Sequence, residues 1–282
     1  MKIISSPAEM TALADTAQAE GRTIGLVPTM GYFHDGHLAL MKKAGESADL
    51  VVASLFVNPI QFGPGEDLAR YPRDFARDCR LAAAAGVHVL FAPEAGDMYP
   101  EEPLSRVVVS GLSEGLCGAS RPGHFSGVAT VVAKLFNIVK PRVAVFGKKD
   151  LQQLAVIRRM VADLNWDTVI IGHPIVREAD GLAMSSRNTY LSAQERNSAL
   201  CLHKAILHAR ARVRQGLRDA DALLVEVRAL LLRHEGVTID YAALVDGRDL
   251  TAVTELREGI VLAMAIRVGG TRLIDNDELF ST

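Results

Sequence analysis

Thr23-Ile-Gly-Leu-Val-Pro-Thr-Met-Gly-Tyr-Phe-His-Asp-Gly-His37 runs from a short strand through a glycine-bearing turn into the opening of a helix. Residues 23–27 read as the strand and residues 37–46 as the helix. Outward along the chain the same succession repeats: strand 50–57, an alanine-rich helix at 74–85, strand 87–91, helix 126–139, strand 142–146, helix 151–164 and strand 168–171. Strands that are apolar throughout are buried on both faces, and strands separated by helices pair in parallel. The expected architecture is a doubly wound α/β domain, which binds ligands beyond the carboxyl ends of its strands.

The rhythm changes after about Gly172. A polar loop, Arg177-Glu-Ala-Asp-Gly181, leads to Met184-Ser-Ser-Arg-Asn188, and Ser192-x-x-Glu195 has the spacing of a capping box. From there Ala199, Leu202, Ile206, Ala209 and Val213 place one buried stripe along a helix. A second helix is expected from about 219 to 234, stopping at Gly236. Strands at 237–245 and 260–268 follow, and Gly269-Gly270 predicts a hairpin into 271–275. These elements imply a smaller α+β domain with a short antiparallel sheet. The expected division is 1–175 and 176–282.

Composition narrows the function. With 49% apolar residues over 282 positions the chain builds a substantial core, and a net charge of -2 supplies no general basic field for DNA, RNA or an acidic membrane. An anionic substrate must therefore be held by a local cluster of donors. Cys79, Cys117 and Cys201 lack the spacing of a metal or redox pair and read as reduced, structural thiols. The first residues lack the apolar core of a signal peptide, and 50–57 is far too short to cross a bilayer, so the cytoplasm is the expected location.

The chemistry concentrates where strands end. A helix N-terminus offers unpaired N–H groups and a positive partial charge, which favour phosphate. Gly31 and Gly36 permit a tight turn and close approach, while His34 and His37 add side-chain donors. Neither GxxxxGK[ST] nor GxGxxG is present. Two histidines three apart also arise by chance or as half a metal site, but no zincin spacing is present, and the strand–turn–helix setting favours phosphate. Phe146-Gly-Lys-Lys-Asp150 likewise follows an apolar strand. Lys148 and Lys149 there supply fixed positive charge, where an isolated pair would read as solvated lysines. Gln61 and Gln153 suit a carboxylate or hydroxyl held by a neutral amide, although spacing alone does not separate them from surface glutamines. Of the other histidines, only His124, in the loop Arg121-Pro-Gly-His-Phe-Ser-Gly127, stands out as a ligand contact; the remaining five take structural or solvated roles.

His34-Asp-Gly-His37 resembles the His-x-Gly-His signature of class I adenylyl-transferring enzymes, and Met184-Ser-Ser-Arg187 resembles the pyrophosphate-holding loop of class I synthetases. With Pro28-Thr-Met-Gly31, Phe56-Val-Asn-Pro-x-Gln-Phe62, Tyr71-Pro-Arg73, Leu116-Cys-Gly118, Gly147-x-Lys-Asp150, Gln152-Gln153, Arg177-Glu-x-Asp-Gly181 and Arg272-Leu-Ile-Asp-Asn276, the whole chain resembles the pantothenate synthetase (pantoate–β-alanine ligase) family. The resemblance implies a Rossmann-like first domain and a smaller domain closing over the ATP site. It implies two steps, formation of pantoyl adenylate from pantoate and ATP, then attack by β-alanine. It further implies that ATP is cradled by Met30, Gly31, Tyr32, Phe33, His34, Asp35, Gly36 and His37, by Gly147, Lys148, Lys149 and Asp150, and by Val176, Met184, Ser185, Ser186 and Arg187. Within this set His34, His37, Lys149, Ser185, Ser186 and Arg187 would be catalytic. Gln61 and Gln153 would hold pantoate, with Asn58, Tyr71 and His124 lining the cavity. Mg2+, carried mainly by the ATP phosphates, and a homodimer are also implied.

Leu151 stands where the family often has an aromatic residue and Phe33 where leucine is common; both bear on substrate preference. The loop 62–71, with Gly63, Pro64 and Gly65, is a candidate lid. Two alternative readings are a nucleotidylyltransferase acting on a phosphate-bearing acceptor and a non-catalytic nucleotide-sensing module.

Overall fold

In the computed structural model, which describes residues 1–101 and 103–280, six strands form one wholly parallel sheet. They are β1 (Lys2–Ile4), β2 (Ile24–Thr29), β3 (Leu50–Leu55), β4 (Val89–Phe91), β5 (Val143–Gly147) and β6 (Val169–His173), ordered β1-β4-β3-β2-β5-β6. The helices between them are α1 (Pro7–Ala19), α2 (Asp35–Gly45), α3 (Phe75–Ala84), the one-turn α4 (Ala95–Met98) and α5 (Cys117–Ser120), α6 (His124–Val139) and α7 (Leu151–Asp163).

Alternation along the strands sends side chains to two cores. Leu26, Val52, Phe91 and Phe146 share one with residues of α1, α6 and α7, while Val27, Ala53, Leu90 and Val145 share the other with residues of α2 and α3. Both faces are covered, as the uniformly apolar strands require. From β2 the chain runs outward through β3 to β4, then returns to place β5 on the other side of β2. The carboxyl ends of β2 and β5 therefore flank the point where winding reverses, the place where open α/β sheets bind ligands.

The sequence reading assigned nothing to residues 1–19, where the structure adds β1 and α1. The strand has only three residues and pairs on one side alone, with β4, so no periodicity reveals it. The helix start does carry a signal: Ser6 accepts from the Glu9 N–H at 3.4 Å and Pro7 follows it.

After β6 come α8 (Ala193–Ala199), α9 (Cys201–Arg214) and α10 (Ala220–Leu232), then the antiparallel strands β7 (Val237–Asp246), β8 (Ile260–Val268) and β9 (Thr271–Glu278). The capping box is present: the Ser192 N–H donates to Glu195 at 2.8 Å, and the Glu195 N–H donates to Ser192 at 3.3 Å. One continuous helix was expected here, but the backbone tightens at Leu200 (φ -61°, ψ -13°) and divides it in two. Its stripe is buried throughout and packs with α10 against the sheet. Buried and exposed positions alternate only in part along β7, because its register with β8 is irregular between Ile239 and Tyr241. Cys79, Cys117 and Cys201 are free thiols. Among the described residues no helix is long and apolar enough to cross a membrane.

Candidate active site

Between β2 and α2 the backbone turns through Gly31 and Tyr32, both at positive φ (84° and 52°). A tyrosine tolerates that conformation only where its surroundings enforce it. Here α3 does so. The Asp78 carboxylate, 1% exposed, accepts the N–H groups of Tyr32 and Phe33, each at 2.7 Å. Arg77 donates to the Phe33 carbonyl at 2.8 Å and lies over the Tyr32 ring.

The turn delivers His34 to the N-cap of α2, where its N–H donates to His37 Nδ1 at 3.3 Å and the two rings sit 4.0 Å apart. With Nδ1 an acceptor, the neutral His37 ring carries its proton on Nε2. A Cβ on Gly36 would come within 2.9 Å of the His34 ring, so that glycine is a packing requirement. Burial, reinforced by Lys149, pulls His34 down to about 4. His37 is pulled well below its ordinary value by burial, then by His34 and Lys149. Both rings are neutral near pH 7 and act as polar donors, leaving fixed positive charge to other residues.

Across the switch point β5 ends at Gly147, and a 3-10 turn over Lys148–Asp150 leads into α7. Asn276 of β9 donates its amide to the carbonyls of Lys148 (3.1 Å) and Lys149 (2.8 Å), so the antiparallel sheet fixes this turn. A third wall comes from a small hairpin, in which Arg177 bridges Ala183 and the Met184 N–H donates to the Val176 carbonyl at 3.0 Å. Val176 and Met184 are thereby brought side by side. Ser185 Oγ accepts from the Arg187 N–H at 3.3 Å, and Ser186 Oγ donates to the Tyr32 carbonyl at 3.4 Å.

The opposite end is a neutral amide network. Asn58, 1% exposed, donates to Gln61 Oε1 and to the Gly127 carbonyl, both at 3.1 Å, and accepts from Tyr99 at 3.0 Å. His124 lies 2.8 Å from the Gln61 carbonyl through Nδ1, and Arg121 donates to its Nε2 at 3.0 Å. Nδ1 therefore carries the proton. Burial, with help from Arg121, lowers His124 to about 4. Of the adjacent glutamines, Gln152 is buried and structural: it accepts the Cys117 N–H and donates to the carbonyls of Leu112 and Gly115.

These walls enclose one cavity of about 230 Å³. Met30, His34, Gly36, His37, Asn58, Gln61, Tyr71, His124, Gly147, Lys149, Asp150, Gln153, Val176, Met184, Ser185, Ser186 and Arg187 all line it. The remaining expected residues do not. Phe33 is fully buried in the core against α2, Asp35 and Lys148 are exposed, and Gly31 and Tyr32 form the backbone of the turn. Lys148 runs past Gly172 of β6 instead.

Sequence reasoning missed Asp78 and two acidic partners on the loop 62–71, and it quoted Asn276 within a motif without giving it a role. Glu66 forms a two-pronged pair with Arg121 (2.6 Å and 2.6 Å), and Asp67 forms one with Arg187 (2.8 Å and 2.8 Å). Asp78 had a local signal, a carboxylate sharing the buried stripe of α3 with Ala82. The loop pairs had none, because their partners lie 55 and 120 positions away.

A model of the pantoate-beta-alanine ligase family matches residues 2–278. The chain belongs to that family. A pantothenate synthetase of Heliobacterium modesticaldum is 57% identical over 276 residues, covering 98% of each chain, and one from Geobacter sulfurreducens is 55% identical with the same coverage. Among solved structures, pantothenate synthetase from Thermus thermophilus superposes with a TM-score of 0.94 at 46% identity, with both chains fully covered. Pantoate-beta-alanine ligase from Francisella tularensis, solved with beta-gamma ATP and beta-alanine, gives a TM-score of 0.82 at 32% identity, covering 100% of this chain and 99% of that one.

Proposed function

We propose that this chain condenses (R)-pantoate with β-alanine at the expense of ATP, releasing pantothenate, AMP and diphosphate through a pantoyl-adenylate intermediate. The observation that carries this reading is convergence. His37, Lys149 and Ser186, from three segments distant in sequence, open onto one cavity at the switch point, with Gln61 and Gln153 in the same cavity.

In the first step a pantoate carboxylate oxygen bonds to the α-phosphorus of ATP and the bond to the β-phosphate oxygen breaks. Negative charge accumulates on phosphate oxygens, and preorganised donors act most strongly there. His34 and His37 donate as neutral rings, Lys149 and Arg187 supply fixed charge, and Ser185 and Ser186 offer hydroxyls. Met30, Gly36, Gly147, Val176 and Met184 shape the nucleotide's place. Gln61 and Gln153 orient pantoate without the ion pair that would blunt its carboxylate, with Asn58, Tyr71 and His124 completing that end. No enzyme nucleophile is needed, because the substrate supplies one. In the second step the β-alanine nitrogen attacks the acyl carbon and AMP leaves; proximity and exclusion of water carry this step.

Among the described residues no cluster of three histidine, cysteine or acidic side chains is placed to hold a metal. A magnesium ion arriving on the ATP phosphates needs only one or two protein oxygens, and Asp150 on the cavity wall fits that donor set. Such an ion would neutralise phosphate charge. The segment 176–282 closes over ATP in this reading, the loop 62–71 serves as lid, and the working form is a cytoplasmic homodimer.

The test is an incubation of the protein with ATP, pantoate and β-alanine. AMP together with an amide product is expected; adenylation of a phosphate-bearing acceptor in its place would defeat the proposal. His37→Ala is expected to fold normally and to lose about 10²-fold in adenylate formation, as removal of one preorganised donor does. Unchanged turnover in the folded variant would remove His37 from the mechanism.

A further inference from the structure

Against the loop 62–71, and sharing Arg187 with the main cleft, lies a second crevice of about 130 Å³. Its walls are the loop itself, the turn carrying Arg187 and Tyr190, and the β8–β9 hairpin. Five arginines line it, Arg70, Arg121, Arg187, Arg267 and Arg272, against two carboxylates, Glu66 and Asp67.

The charges do not cancel. Glu66 and Asp67 satisfy Arg121 and Arg187, and Arg272 pairs with Asp240 at 2.7 Å. Arg70 and Arg267 have no acidic partner among the described residues; Arg70 lies over the Tyr190 ring at 5.9 Å. Moreover, Arg267 and Arg272 stand directly opposite each other across β8 and β9. Like charges at facing positions of an antiparallel pair destabilise it. A fold that keeps such a pair, one member of it unmatched, beside the unmatched Arg70 guanidinium presents a field suited to an anion. The forked geometry of guanidinium favours phosphate oxygens.

Arg121 and Arg187 line both this crevice and the main cleft, so the two spaces share a wall. We propose that the crevice is a second anion site, selective for inorganic diphosphate, which receives that product as it leaves the main cleft past Arg187. The proposal rests on the reading above, in which Arg187 faces the ATP phosphates. Asp67 and Glu66 act as internal stand-ins for phosphate: they hold the two shared guanidiniums until the stronger anion displaces them.

The experiment is calorimetric titration of inorganic diphosphate into the full-length protein at constant ionic strength, with the main cleft saturated by a non-hydrolysable ATP analogue. One diphosphate per chain is expected to bind. Arg70→Gln and Arg267→Gln should each weaken it on the order of tenfold, as loss of a charged hydrogen bond does, and Arg267→Gln should leave affinity for the analogue unchanged. Inorganic phosphate should bind at least about tenfold more weakly, since it makes fewer such contacts. An analogue-filled protein that takes up no diphosphate overturns this proposal alone, as does a double variant that binds it undiminished. Equal affinity for phosphate and diphosphate overturns the assigned selectivity. Failure of the analogue itself to bind overturns the reading of the main cleft and this proposal together.

Discussion

Three partly buried histidines around the cleft are tuned in the same direction. In the unfolded chain an imidazole titrates near 6.5, whereas burial brings His34 and His124 down to about 4. Above pH 6.5 neither state holds the proton and these rings add nothing to the pH dependence. Between 6.5 and about 4 the unfolded chain binds more protons, so stability falls as pH falls through that window. A melting series from pH 7 to 4.5 should show this decline, and His124→Gln should flatten it; a parallel decline in the variant would remove His124 as a cause. At this scale the sequence was largely legible: the two histidines and Gly36 announced themselves by spacing. Their protonation was not legible, because it depends on burial and on Lys149, more than a hundred positions away.

Elements meet closely where a side chain would obstruct them. Gly127 lies in the first turn of α6, and a Cβ there would fall 2.6 Å from the Gln61 Cα and against the Ile60 carbonyl. This missing methyl lets the turn Pro59–Gln61 rest on the helix and lets Asn58 reach the Gly127 carbonyl. Gly127→Ala should cost about 1–3 kcal/mol, the usual penalty for overpacking, read as a lower urea midpoint. It should also raise the KM for pantoate with little change in that for ATP; equal changes in both would separate Gly127 from the acid end of the cleft. The helices and strands around the switch point followed from apolar periodicity. β1 was too short to give a period, and the division of α8 from α9 turns on one backbone angle at Leu200.

Across the molecule, the segment after β6 is tied within itself by a buried ion pair between its first loop and its last strand. Arg177 pairs with Asp275 of β9 at 2.7 Å and 3.0 Å, and that carboxylate is 2% exposed. Burial pushes the Asp275 carboxyl up while Arg177 draws it back. Arg177→Ala strands a buried charge and should lower unfolding free energy by about 3–5 kcal/mol, measured by denaturant titration; a loss under about 1 kcal/mol would place the pair in the class of exposed ones. The order of segments along the chain forecast two domains, but contacts such as Asn276 to the lysine turn span about 127 positions and lie beyond local pattern. The Asp78 carboxylate has a consequence of the same long range. Because it already occupies the amides of Tyr32 and Phe33, the His34–His37 stretch is not a portable cassette. Grafted onto a foreign strand and helix without a carboxylate reaching in from a third element, the turn would relax out of its left-handed shape and carry both imidazoles off target.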